Sequence, residues 1–102
     1  MCENAVMLTH IVCWKYKPEA DNSVRDGHIA ALKALVGVIP EIISLTVGPD
    51  VLHLERSFDT GLAATFADRA ALDAYNDHPE HQKVIAIGRE IADRVVSVDI
   101  LS

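Results

Sequence analysis

Little in this chain of 102 residues marks it as a nucleic-acid, membrane or redox protein. Its nine Lys and Arg are scattered and the net charge is −6. With no basic run and no aromatic–basic interleaving, nucleic acid is not the expected partner, and an anionic lipid surface is disfavoured for the same reason. The longest apolar stretch falls well short of a membrane span. No secretory pattern opens the chain, so the cytoplasm is the expected compartment. Cysteine is scarce: Cys2 and Cys13 do not form a disulfide framework, and Cys13 lies in an apolar strand where the thiol acts as a small hydrophobe. The five glycines stand at turns or singly, so no phosphate-cradling loop is present. Ser-His-Asp and Cys-His arrangements are lacking, as are haem, flavin and nicotinamide signatures, and no cofactor is expected.

What the chain has is apolar mass, with half its residues hydrophobic and about a quarter charged. That excludes disorder and suits one domain with a single core. Residues 1–6 read as a loose leader and 7–102 as the domain. Met7–Tyr16 reads as a strand, rich in β-branched and aromatic residues and stopped by Lys17-Pro18. Both its faces carry apolar groups, so cover on both sides is expected. Asp21, Asn22 and Ser23 offer caps for a helix to about Val36, with Val24, His28, Ala31, Leu32 and Leu35 along its inner face. Further strands are predicted at Ile42–Gly48, Gly61–Phe66 and Arg94–Leu101, and helices at Asp68–Asn76 and Pro79–Asp93. The connection Pro49–Ser57 holds Val51, Leu52, His53 and Leu54, more apolar side chain than a solvated loop needs, so part of it is expected over a pocket or a partner.

The order β-α-β-β-α-α-β predicts an α+β, ferredoxin-like domain: a four-stranded antiparallel sheet with helices on one face. The other face would carry Met7, Ile11, Cys13 and either Val96, Val98 and Ile100 or their neighbours. An apolar face of that size exceeds what a monomer usually exposes, and two copies closing over it would make a two-fold homodimer.

The run Thr65–Val84, TFADRAALDAYNDHPEHQKV, holds the most chemistry. Tyr75, His78 and His81 fall within seven residues on segments that turn back on themselves, which is how a phenol and an imidazole reach one pocket wall. Capping alone explains part of the pattern: Pro79 suits a first helical position, with Asp77 or His78 as cap. His81 then bonds only to neighbouring backbone, Tyr75 is a core aromatic, and His10 and Trp14 are core residues of their strand. His78 and His81 supply two metal ligands at most, and spacing implies no third, so no metal is expected. His28 and His53 look incidental.

Three segments, HIVCWKYK at His10–Lys17, GVIPEIISLTVG at Gly37–Gly48 and FDTGLAATFADRAALDAYNDHPEHQ at Phe58–Gln82, resemble the stress-responsive α/β barrel domain (Dabb) family, the likeness covering about residues 7 to 101. The resemblance implies ferredoxin-like dimers whose two sheets pack into a barrel. Most members of that family have no assigned reaction, some plant members are polyketide cyclases, and the wider superfamily includes small monooxygenases and isomerases. The cyclase pattern implies His81 as general base, Tyr75 as the group that positions substrate, and His10 near the pocket. A further pocket histidine of those cyclases corresponds to Thr60, which hydrogen-bonds but does not titrate near neutrality. One plant member is thought to hold a cation on backbone carbonyls, at positions matching Val36, Ile39 and Ile42.

The expected function is therefore an apolar pocket for an aromatic or polyketide-like molecule, with His10, Trp14, Thr60, Tyr75, His78 and His81 as its candidate residues. Two alternatives stand beside it: a cofactor-free cyclase, lyase or isomerase using His81, and a stress protein whose barrel holds no ligand.

Overall fold

A computed structural model describes residues 6–102, so the expected leader and Cys2 lie, apart from Val6, outside the described residues. Its elements are β1 (Leu8–Tyr16), α1 (Asn22–Lys33), β2 (Ser44–Pro49), β3 (Thr60–Phe66), α2 (Arg69–Asp77), α3 (Pro79–Ile91) and β4 (Ala92–Leu101). The strands form one antiparallel sheet in the order β2-β3-β1-β4. This is the predicted ferredoxin-like α+β order, with β1 between β3 and β4.

Alternation along β1 sorts the sheet into two faces. Leu8, Val12, Trp14 and Tyr16 point to the helices and are buried. Phe66, Ala64 and Leu62 of β3 join them through the pairs Leu8↔Phe66, His10↔Ala64 and Val12↔Leu62. From above, α1 contributes Ile29 and Leu32, α2 contributes Leu72 and Tyr75, and α3 contributes Val84. On the opposite face Ile11 pairs with Val98, Cys13 with Val96 and Thr9 with Ile100. No helix covers that band, and Val96, Val98 and Ile100 are exposed. The β2–β3 half of the same face is small and polar, carrying Ser44, Thr46, Gly61 and Thr65.

Several boundaries differ from the sequence reading. Helix α1 stops at Lys33 rather than Val36, because the chain tightens into three-residue turns (Leu35 N–H to Leu32 O at 3.2 Å, Val36 N–H to Lys33 O at 3.2 Å) before Gly37 adopts a left-handed φ of 87°. Val24 is exposed, and Ile29 completes the inner stripe with His28 and Leu32. Helix α3 passes straight into β4 at Ala92, two residues earlier than the predicted strand start. The Ile91 carbonyl accepts from the Lys17 N–H at 2.9 Å, and Ala92 already pairs with Tyr16. In the β2–β3 connection Val51, Leu52 and Leu54 are exposed, Val51 at 80%. Val51 borders a shallow hollow with Phe58 and Cys13 on the uncovered side of the sheet, rather than roofing the space beneath the helices.

Candidate functional site

Beneath the helices the packing leaves a cavity of about 300 Å³, with an apolar middle of Val12, Leu32, Leu62 and Val84. Strand β4 supplies its open flank through Val95 and Ser97, and α3 its roof through His81, Ile85, Gly88 and Arg89. His10, Trp14, Tyr75 and His81 all line it. Thr60 and His78 do not. Thr60 is buried farther along the sheet, in the wall of a hollow it shares with Tyr16 and Asp59. His78 is the N-cap of α3, its Nδ1 accepting from the Glu80 N–H at 3.1 Å, and Pro79 takes the first helical position.

The capping turn fixes His81. It sits in the first turn of α3, 7% exposed, and its ring stacks on Tyr75 with centroids 4.0 Å apart and planes inclined by 27°. Tyr75, near the end of α2, also meets His10 edge-on at 6.1 Å and Phe66 at 5.0 Å. The α2–α3 turn thus folds the phenol over the imidazole, and β1 brings His10 from below. Nδ1 of His81 is buried without a hydrogen-bond partner among the described residues. Burial lowers its pKa from the ordinary 6.5; the nearby carbonyls of Asn76 and Tyr75 oppose that shift, and His10 and His78 add to it. Near neutral pH the ring is uncharged and free to take a proton. Burial also pushes the Tyr75 phenol up to about 12, so it remains a donor. His10 Nδ1 donates to Asp99 Oδ1 at 2.5 Å, which fixes a ring proton there.

His28, which looked incidental, is 1% exposed and lines the other end of the cavity. Its Nδ1 lies 2.8 Å from the Tyr16 hydroxyl, and its ring meets Trp14 edge-on at 5.0 Å. The helical spacing to Leu32 signalled an inward side chain, but nothing local named its partner on β1. His53 lies in the exposed connection at a φ of 54°, where the Asp50 carboxylate accepts from its N–H, and takes no part in the cavity. Of the carbonyls matched to a cation site, that of Ile39 accepts from the Ile42 N–H at 3.3 Å. Among the described residues no cluster of three His, Cys, Asp or Glu side chains could hold a metal ion, and no helix is long and apolar enough to cross a membrane.

The family model described as the stress responsive A/B barrel domain matches residues 8–102. The chain belongs to the Dabb family. Its fold is shared with solved structures of the same size. A dimeric ferredoxin-like protein of unknown function from Jannaschia sp. is 32% identical, with 92% of this chain and 97% of that one covered and a TM-score of 0.74. A dimeric ferredoxin-like protein of unknown function from Thermobifida fusca is 23% identical over 96% and 92% of the two chains, with a TM-score of 0.87. The hydroxynitrile lyase from Passiflora edulis is 18% identical over 97% and 95%, also with a TM-score of 0.87. No curated protein matches the chain. For this Dabb chain the likenesses establish family and fold, while the chemistry has to be argued from its own cavity.

Proposed function

We propose that this Dabb protein binds a small aromatic or polyketide-like molecule in the cavity beneath its helices, with His10, Tyr75 and His81 as the polar groups that meet it. The observation that carries this reading is His81: a nearly buried imidazole, stacked on a phenol, whose residue lines an apolar cavity. A volume of about 300 Å³ suits a ligand of one or two rings. A histidine kept only for packing would be expected to satisfy both nitrogens. A titration of small aromatic compounds followed by the emission of Trp14, the one tryptophan and a cavity residue, tests it. Saturable quenching that His81→Phe weakens is expected; no response from any compound would leave the structural alternative standing.

The same geometry favours a second reading, a cofactor-free cyclase, lyase or isomerase. An uncharged imidazole in this cavity takes a proton from a carbon between two carbonyls, while the Tyr75 phenol, still protonated, steadies the oxygen that gains charge. One of the structural neighbours is a hydroxynitrile lyase. Deuterium exchange at the central carbon of 1-phenyl-1,3-butanedione is the direct assay. Acceleration by the parent and its loss in His81→Ala support the base; no acceleration restricts the protein to binding.

Self-association completes the proposal. The band Ile11, Cys13, Val96, Val98 and Ile100 is uncovered, and β4 is an edge strand of ten residues with exposed apolar side chains on both faces. An edge of that length needs cover, and a second copy laid on the same face would give it. The neighbours from Jannaschia sp. and Thermobifida fusca are described as dimeric, in keeping with this. Scarce cysteine fits a cytoplasmic setting.

A further inference from the structure

The cavity has a second polar end, which the His81 cluster does not use. His28 is 1% exposed, and its Nδ1 and the Tyr16 hydroxyl are 2.8 Å apart. With the Tyr16 hydroxyl as the donor of this bond, the imidazole proton sits on Nε2. Burial lowers the pKa of His28, consistent with an uncharged ring. Nε2 makes no hydrogen bond to a described residue, and neither does the indole nitrogen of Trp14. Both lie beside one point of α3. A Cβ built on Gly88 would lie 3.3 Å from His28 Nε2 and 3.4 Å from Trp14 Nε1. Glycine at that position keeps the space before the two N–H groups free of side chain.

We propose that the N–H groups of Trp14 and His28, converging on the bare Cα of Gly88, form a second subsite that takes an uncharged oxygen acceptor, a ketone or phenol oxygen, at the far end of an elongated apolar ligand. The inference rests on the reading of the cavity as a small-molecule site and adds which molecules it takes. Two elements set the ligand's length independently. His81 and Gly88 are seven residues apart on α3, about 10 Å at a rise of about 1.5 Å per residue. His10 and Trp14 are four apart on β1, about 13 Å at roughly 3.3 Å per residue. The oxygen therefore lies some two rings away from the group that meets His81. An uncharged acceptor is preferred because both donors are neutral and enclosed, and a carboxylate would lose its water without a buried cation to replace it. The one cation on the cavity wall, Arg89, is exposed.

A matched set of probes tests the subsite: 4-acetylbiphenyl, its hydrocarbon isostere 4-isopropenylbiphenyl, and 4-phenylbenzoate. The parent should bind the ketone about tenfold more tightly than the isostere, the gain of one well-made hydrogen bond or two weaker ones. The indole N–H resonance of Trp14 should move downfield with the ketone and not with the isostere, a readout in the parent protein that no substitution can spoil. His28→Phe should abolish the preference while keeping affinity for the hydrocarbon. Equal affinity for ketone and isostere, a preference that survives His28→Phe, or tightest binding of the carboxylate overturns the subsite. If the compounds bind in a His81-dependent way but without the ketone preference, only this subsite falls. If none binds at all, the small-molecule reading falls with it.

Discussion

Single side chains divide this protein's histidines by what their ring nitrogens touch. His78 is engaged by the backbone of α3, His10 by Asp99 and His28 by Tyr16, whereas Nδ1 of His81 is partnered by nothing among the described residues. By geometry that nitrogen has no partner to lose beyond the nearby carbonyls of Asn76 and Tyr75, and His81→Phe should retain the parent's melting temperature within a few degrees while losing ligand response. A large fall in melting temperature would mean that the ring is chiefly structural. The two buried histidines also predict a pH dependence. Burial lowers the folded-state pKa of both His28 and His81 below 6.5, so the unfolded chain binds more protons in the range beneath that value. Their contribution to stability is fully present above 6.5 and is lost as pH falls through the lowered folded values. Urea unfolding between pH 7.5 and 5 should show midpoints that drop with pH, and the double variant His28→Phe, His81→Phe should show a shallower drop. An unchanged slope in that variant would assign the acid sensitivity to other groups.

At the scale of elements, the α2–α3 corner decides where the site lies. Asp68 caps α2 by accepting from the Ala71 N–H at 2.9 Å, and His78 both ends α2 and caps α3. The chain thus reverses within one residue between Tyr75 and His81, and their rings stack. Replacing the cap while keeping its acceptor separates this role from catalysis. His78→Asn should preserve stability and ligand binding, since asparagine is a favoured cap, whereas His78→Ala should cost about 1 kcal/mol. Denaturant midpoints and Trp14 emission measure both. Loss of binding in His78→Asn with stability intact would instead give the His78 imidazole a direct part in the site.

For the whole molecule, the uneven uncovered face governs the outcome. Its apolar band runs along β1 and β4, while the β2–β3 half offers small and polar side chains, with Ser44 Oγ and Thr65 Oγ1 in hydrogen-bond contact. Pairing through the β1–β4 half predicts that Ile11→Asp and Val98→Asp each convert a dimer at micromolar concentration into a monomer, because either places a charge within the apolar contact. Sedimentation velocity decides this. A monomeric parent, or full tolerance of both substitutions, would remove the interface from that band. The exposed Leu52 and Leu54 of the β2–β3 connection serve as a contrast, for charge there should leave sedimentation unchanged if the band alone makes the contact.

Legibility from sequence followed the range of the interactions. Strands, helices and their order were readable because alternation, helical spacing and caps such as Asp21, Asp68 and Pro79 act within a few residues. The grouping of Tyr75 with His81 was readable for the same reason, since one short turn joins them. The end of α1 at Lys33 and the start of β4 at Ala92 were not, because a left-handed glycine and a bond from Lys17 to Ile91 settle them. Thr60, named through a correspondence of positions that says nothing of where its side chain lies along the sheet, borders a neighbouring hollow instead of this cavity. His28 was passed over because its meaning depends on Tyr16 and Trp14, which reach it only after β1 and α1 pack face to face. The chain by itself determined the elements and their inward faces through local hydrogen bonding and periodic burial. Which polar rings share a dry space, and which nitrogens stay unpaired there, was decided only by tertiary packing, because those contacts join residues far apart along the backbone.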